Sequence, residues 1–156
     1  MRNRNGGRPG PLGSAPVRFF PATLGSLVLV ALLLVACGGP ADSPAAHYAQ
    51  GQAYEQAGQW EQAISEYTQA IALDSQYAQA YVGRAYAYAQ KGQFERAFDD
   101  CNLALAINPK LVRAYIVRAI ARAGRADLEQ AIADLDIALS IDPRSAEAYT
   151  YRGLYN

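Results

Sequence analysis

The residues of this 156-residue chain that could do chemistry are two cysteines, one histidine, fourteen carboxylates and eleven tyrosines. Their spacing points away from catalysis. His47 stands apart from Cys and acid and reads as a surface residue near the first helix start. Asp134, Asp136 and Asp142 do not match a calcium loop. Ser/His/Asp and Cys/His sets, a Gly-rich phosphate loop and HExxH are all lacking from the sequence. The expectation is a protein that is not an enzyme and uses no cofactor and no metal.

Two further patterns could carry binding. Arg84, Arg118 and Arg152 form a ladder, as on a nucleic-acid face. Glu66, Asp100 and Asp134 each precede one of them by 18 residues, so the expected role is structural pairing between helices. Such pairs contribute about 0–1 kcal/mol each when exposed. The tyrosines could stack on carbohydrate or single-stranded nucleic acid. Tyr81, Tyr115 and Tyr149 recur in phase, however, as do Tyr54 and Tyr88, which marks packing positions. Cys101 falls in series with Tyr67 and Leu135 and is expected to be a buried small hydrophobe.

Composition separates two halves. The chain has 14 basic and 14 acidic residues and 51% apolar residues. That excludes a disordered polar chain, a collagen-like repeat and a disulfide-rich module. Residues 1–36 contain four Arg and no acid, and six of the eight Pro lie before residue 45. This basic stretch runs into ATLGSLVLVALLLVA, residues 22–36. Fifteen helical residues span about 22 Å, short of a bilayer core of about 30 Å. Basic flank, short apolar core and small exit residues spell a secretory signal peptide. A membrane-spanning anchor is the competing assignment. From residue 37 onward there are 10 basic and 14 acidic residues, net −4, which argues against nucleic acid as a partner.

The exit, Leu34-Val35-Ala36-Cys37, is similar to the lipobox of bacterial lipoproteins. That resemblance implies that Cys37 becomes the first mature residue and carries acyl chains. Two or three chains anchor firmly where one binds marginally. Gly38 follows where an Asp often marks inner-membrane retention in that family, which favours the outer membrane where the organism has one. Residues 37–44 then read as the lipidated Cys and a flexible tether.

The remainder repeats every 34 residues. Gly51, Ala85, Ala119 and Gly153 keep that step, as do Ala63, Ala97 and Ala131, and Ala70, Ala104 and Ala138. Asp74, Asn108 and Asp142 follow, with Ser75, Pro109 and Pro143 after them. Trp60, Phe94 and Leu128 form another series. With these residues the chain resembles the tetratricopeptide repeat (TPR) family, whose unit is a helix–turn–helix. The resemblance implies an all-α TPR solenoid over 45–156 with about three and a half repeats, at 44–77, 78–111, 112–145 and a partial 146–156. Good helix formers dominate these segments. Gly58 and Gly92 suit left-handed helix ends. Pro109 and Pro143 suit the first turn of the next helix, and Asp127-Leu128-Glu129-Gln130 suits a capping box. Ala126 replaces the end glycine in repeat three, whose first helix is expected to stop sooner.

The resemblance also implies a concave groove, lined by the first helix of each unit, that takes a peptide or protein ligand. The family's groove positions carry over to Tyr48, Gln52, Glu55 and Gln56, to Gln79, Val82, Tyr86 and Gln90, to Arg113, Ile116 and Ile120, and to Glu147, Thr150 and Leu154. Tyr48, Tyr86, Val82, Ile116 and Ile120 are the expected exposed anchors. Some family members grip a carboxylate tail with Lys and Asn. Here Tyr48, Gln52, Gly83 and Val117 stand at those places and only Arg113 is basic, so the chaperone-tail-binding subclass is not expected. Two functions follow. One is a lipid-anchored adaptor of the bacterial cell envelope. The other is an assembly subunit of an outer-membrane or pilus machine, docking or self-associating through the edge of repeat four, where Tyr149, Gly153 and Leu154 would lie uncovered.

Overall fold

A computed structural model describes residues 42–156, all within the unit Gly38–Asn156. Cys37, the signal peptide and the apolar stretch fall outside the described residues. Seven helices follow one another: α1 Pro44–Gln56, α2 Trp60–Leu73, α3 Ala78–Gln90, α4 Phe94–Ile107, α5 Val112–Gly124, α6 Leu128–Ile141 and α7 Ala146–Tyr155. Among the described residues there is no strand, and no helix is long and apolar enough to cross a membrane. The expected all-α solenoid is the fold.

Each repeat is an antiparallel pair, α1 with α2, α3 with α4 and α5 with α6, and each pair stacks on the next. The first helices touch one another, α1 on α3, α3 on α5 and α5 on α7, whereas the second helices do not. The stack therefore curves with odd-numbered helices on its inner side. The packing layer is made mainly of alanines at 0% exposure, among them Ala63, Ala85, Ala97, Ala119 and Ala131. Small side chains let the backbones approach closely, and the repeat supplies them at a fixed step. Cys101 is fully buried among Ala85, Ala97, Ala104 and Val117, and burial pushes its thiol pKa well up.

The helix ends follow the repeat. Gly58 and Gly92 lie at φ 69° and 71°, the left-handed region. Gln59 N donates to Tyr54 O and Gln93 N to Tyr88 O, both at 2.9 Å, which closes a Schellman motif. Repeat three departs from expectation. Ala126 adopts φ 64°, Asp127 N donates to Arg122 O at 2.9 Å, and α5 has the same 13 residues as α3. Stacking against α4 and α6 imposes the length, and the alanine accepts the strained conformation. The expected capping box is also absent, since Asp127 makes no side-chain cap hydrogen bond. Pro109 and Pro143 precede their helices rather than enter them. They occupy turns in which Asn108 Oδ1 accepts from Lys110 N at 3.1 Å and Asp142 Oδ1 from Arg144 N at 3.0 Å.

The Arg ladder is structural, with a different register. Arg84 Nε donates to Asp100 Oδ2 at 2.8 Å, and Arg118 Nε to Asp134 Oδ2 at 2.9 Å. Each Arg thus reaches an acid 16 residues ahead, in its own repeat, instead of 18 behind. Nη2 of each Arg donates to the same acid, and Nη1 reaches the preceding repeat: Arg84 Nη1 donates to Thr68 at 3.2 Å and Arg118 Nη1 to Asn102 at 3.0 Å. Arg152 pairs with Asp136 at 2.8 Å. One side chain therefore staples three helices. Glu66, left without an Arg, lies 2.7 Å from His47 Nδ1, and Asp42 lies 3.2 Å from Nε2. His47 is thus an acid-paired residue rather than an isolated one, and these hydrogen bonds raise its pKa.

Candidate functional site: the inner face

The inner face is organised by a ring from the second helix of repeat one. Tyr67 is fully buried between α1 and α3. A Cβ on Gly51 would stand 2.6 Å from its ring, and one on Gly83 2.5 Å from it. The two glycines are small because the ring fills the space a side chain would take. Held this way, the Tyr67 hydroxyl donates to Glu55 Oε2 at 2.6 Å. Burial, reinforced by Glu55, drives the phenol pKa well above its ordinary value.

Glu55 has a second partner. Arg113 Nη2, from α5, donates to Glu55 Oε1 and so joins repeat three to repeat one. Burial opposes the Arg113 charge, but the Glu55 carboxylate more than offsets it and raises the Arg113 pKa. The guanidinium carbon lies 5.3 Å from the Tyr86 ring centre, within cation–π range. Tyr86 in turn meets Trp60 edge-on at 6.1 Å. On the other side Tyr48 packs against Tyr67 at 5.7 Å and Tyr77 at 5.2 Å, and its hydroxyl accepts from Gln52 Nε2 at 3.1 Å. Tyr48, Gln79, Val82, Leu111 and Arg113 line one shallow, open depression.

Four of the residues expected in the groove, Tyr48, Gln79, Val82 and Arg113, thus meet at one depression. Tyr86 adjoins it through Arg113, and Gln52 adjoins it through Tyr48. Ile120 is half-buried between two core clusters. Two expected anchors need correction. Ile116 is 1% exposed and packs with Leu135, Ala138 and Ala148, and Val82 is 2% exposed. The close approach of successive inner helices covers that repeat position. Val82 forms a wall, whereas Ile116 is core. Leu111 was not among the expected residues because it precedes α5, outside the helix positions that repeat arithmetic selects. Glu55 was among the groove positions, but its two bonds depend on residues 12 and 58 positions away.

The far edge matches the expectation of uncovered residues, with Tyr149 53% and Leu154 68% exposed. Among the described residues, no group of three or more His, Cys, Asp or Glu could hold a metal ion.

Comparison with known proteins agrees with this architecture. Two family models, both described as tetratricopeptide repeat, match residues 48–111 and 84–155. Among solved structures, an Arabidopsis OM64 TPR domain is 31% identical with a TM-score of 0.69, over 72% of this chain and 93% of that one. The first TPR of Spaghetti (RPAP3), bound to the HSP90 peptide SRMEEVD, is 30% identical with a TM-score of 0.68, over 72% and 89%. The TPR2B domain of yeast Sti1, in a pHsp70 complex, is 30% identical with a TM-score of 0.66, over 72% and 92%. No curated protein matches the chain. From its 34-residue period, its stacked helical hairpins and these matches, the chain belongs to the tetratricopeptide repeat family.

Proposed function

We propose that this protein is a non-enzymatic interaction scaffold that binds a peptide or protein segment on its inner face. The observation that carries the proposal is the depression between Tyr48, Gln79, Val82, Leu111 and Arg113, with Tyr86 beside it. Apolar walls with a few fixed polar groups suit a peptide, and aromatic residues and Arg dominate binding energy at such surfaces. Peptide complexes among the similar structures support the same reading. The proposal extends to location. The lipobox-like Leu34-Val35-Ala36-Cys37 behind an apolar core supports export and a lipid anchor in the bacterial cell envelope, at the outer membrane where there is one. A second reading, an assembly subunit docking or self-associating through repeat four, is favoured by the exposure of Tyr149 and Leu154.

Co-purification of the full chain from solubilised membranes tests these readings. Tyr86→Ala should weaken partner capture by about tenfold or more, a hot-spot effect, while helicity measured by circular dichroism is kept. Capture that is unchanged in Tyr86→Ala sinks the groove reading. Loss of capture in Leu154→Asp instead supports the edge. Cys37→Ala should move the protein from the membrane to the soluble fraction, and retention would assign anchoring to the apolar segment.

A further inference from the structure

Arg113 is the one basic side chain of the depression, and it is already engaged by a carboxylate of its own chain. Glu55 is only 14% exposed and held from two sides, by Arg113 and by the Tyr67 hydroxyl at 2.6 Å. Tyr67 has little room to withdraw, because its ring is fully buried and fills the space beside Gly51 and Gly83. A ligand carboxylate therefore meets an ion pair rather than a free cation. It would have to displace Glu55 and leave that carboxylate half-buried beside its own. Glu147 adds a second acid, whose field reaches both Tyr86 and Tyr151 on the inner face. Two acids against one base leave this part of the groove net negative. The remaining walls are Tyr48, Val82 and Leu111 with the amide of Gln79, and none of them is charged.

We propose that Glu55 is a specificity residue: by holding Arg113 internally, it makes the groove take an uncharged, apolar peptide segment and turn away carboxylate-bearing ones. The inference rests on the groove reading above and names the ligand class of that groove. It also separates this chain from a similar structure that holds the acidic peptide SRMEEVD. Rejection of the wrong ligand here comes from an unpaired charge imposed on it, a common device for specificity.

The chain has a single Trp, and Trp60 meets Tyr86 beside Arg113, so its fluorescence reports entry into the groove. The probes are the heptapeptide SRMEEVD and an analogue with Gln, Gln and Asn in place of its three acids and an amidated C-terminus, SRMQQVN-NH2, which has no carboxylate. The full chain should bind the analogue about tenfold or more tightly than the acid peptide. Glu55→Gln keeps an oxygen to accept from Tyr67 and leaves Arg113 charged, and should shift the acid-to-analogue ratio by about tenfold toward the acid. Glu147→Gln, at an exposed site that cannot unfold the protein, should shift it the same way by about threefold. Preference of the unaltered chain for SRMEEVD, or ratios unmoved in both variants, would overturn the proposal. So would failure of the analogue to bind a protein whose partner capture still depends on Tyr86, which leaves the groove reading intact. Capture independent of Tyr86 removes both.

Discussion

Replacing Asp134 by Ala should destabilise the protein by about 3–5 kcal/mol, the range for removing one partner of a buried ion pair. Asp134 is 1% exposed. It accepts from Arg118 Nε at 2.9 Å and Nη2 at 2.6 Å, and lies 2.7 Å from Arg122 Nη1. One carboxylate thus neutralises two guanidinium groups, each only 16% exposed. Without it, two positive charges remain in a poorly solvated place, and the staple between α5 and α6 opens. Equilibrium urea denaturation should show a lower midpoint with an unchanged slope. Asp136→Ala is the control. That side chain is 52% exposed and pairs with a 42% exposed Arg152, so its loss should cost less than about 1 kcal/mol. Equal losses in the two variants would show that burial of the pair contributes nothing. Asp100→Ala should fall between them, because Asp100 is 7% exposed at its side chain and serves Arg84 alone.

These pairs show what the sequence could and could not reveal. The 34-residue step reveals the repeats, the alanine layer and the burial of Cys101, because each depends on a residue type at one repeat position. Pairing between positions is different. Arg118 lies 18 residues after Asp100 and 16 before Asp134, and nothing in a one-dimensional pattern separates the two. Backbone geometry decides: within an antiparallel hairpin the acid ahead faces the guanidinium, and Asn102 takes the side toward the preceding repeat. Ile116 fails for a related reason. Groove positions carried from a family assume equal exposure in every repeat, but packing of α5 between α3 and α7 covers that position. Departures inside the repeat were the more informative signal. Tyr67, Cys101 and Leu135 occupy one position with very different volumes, which foretells compensation elsewhere.

That compensation carries the second large effect. Gly83→Ala should destabilise the fold by about 1–3 kcal/mol, the cost of forcing atoms into a filled site, even though glycine inside a helix is ordinarily worse than alanine by about 1 kcal/mol. The new Cβ would meet three Tyr67 ring atoms between 2.5 and 2.8 Å. The ring has little room to retreat, since it is fully buried and also fills the space at Gly51, where an added Cβ would stand 2.6 Å from it. Gly124→Ala brings a similar clash, with Phe94 at 2.4 Å, but Phe94 is only partly buried and can turn outward, so that substitution should cost less. The neighbouring repeats prescribe a rescue. Where Cys101 replaces the tyrosine, Ala85 and Val117 replace the two glycines, and where Leu135 does, Ala119 and Tyr151 do. The triple variant Gly51→Ala, Tyr67→Cys, Gly83→Val should therefore recover most of the stability lost in Gly83→Ala alone, measured by thermal unfolding. It should not restore the hold on Glu55, because a thiol is a poor donor and too short to reach the carboxylate. Stability and ligand choice then separate. The rescued protein should fold like its parent yet have lost one of the two bonds that fix Glu55, and its preference between the charged and amidated peptides should weaken. A triple variant no more stable than Gly83→Ala would show that the ring does not dictate the two glycines.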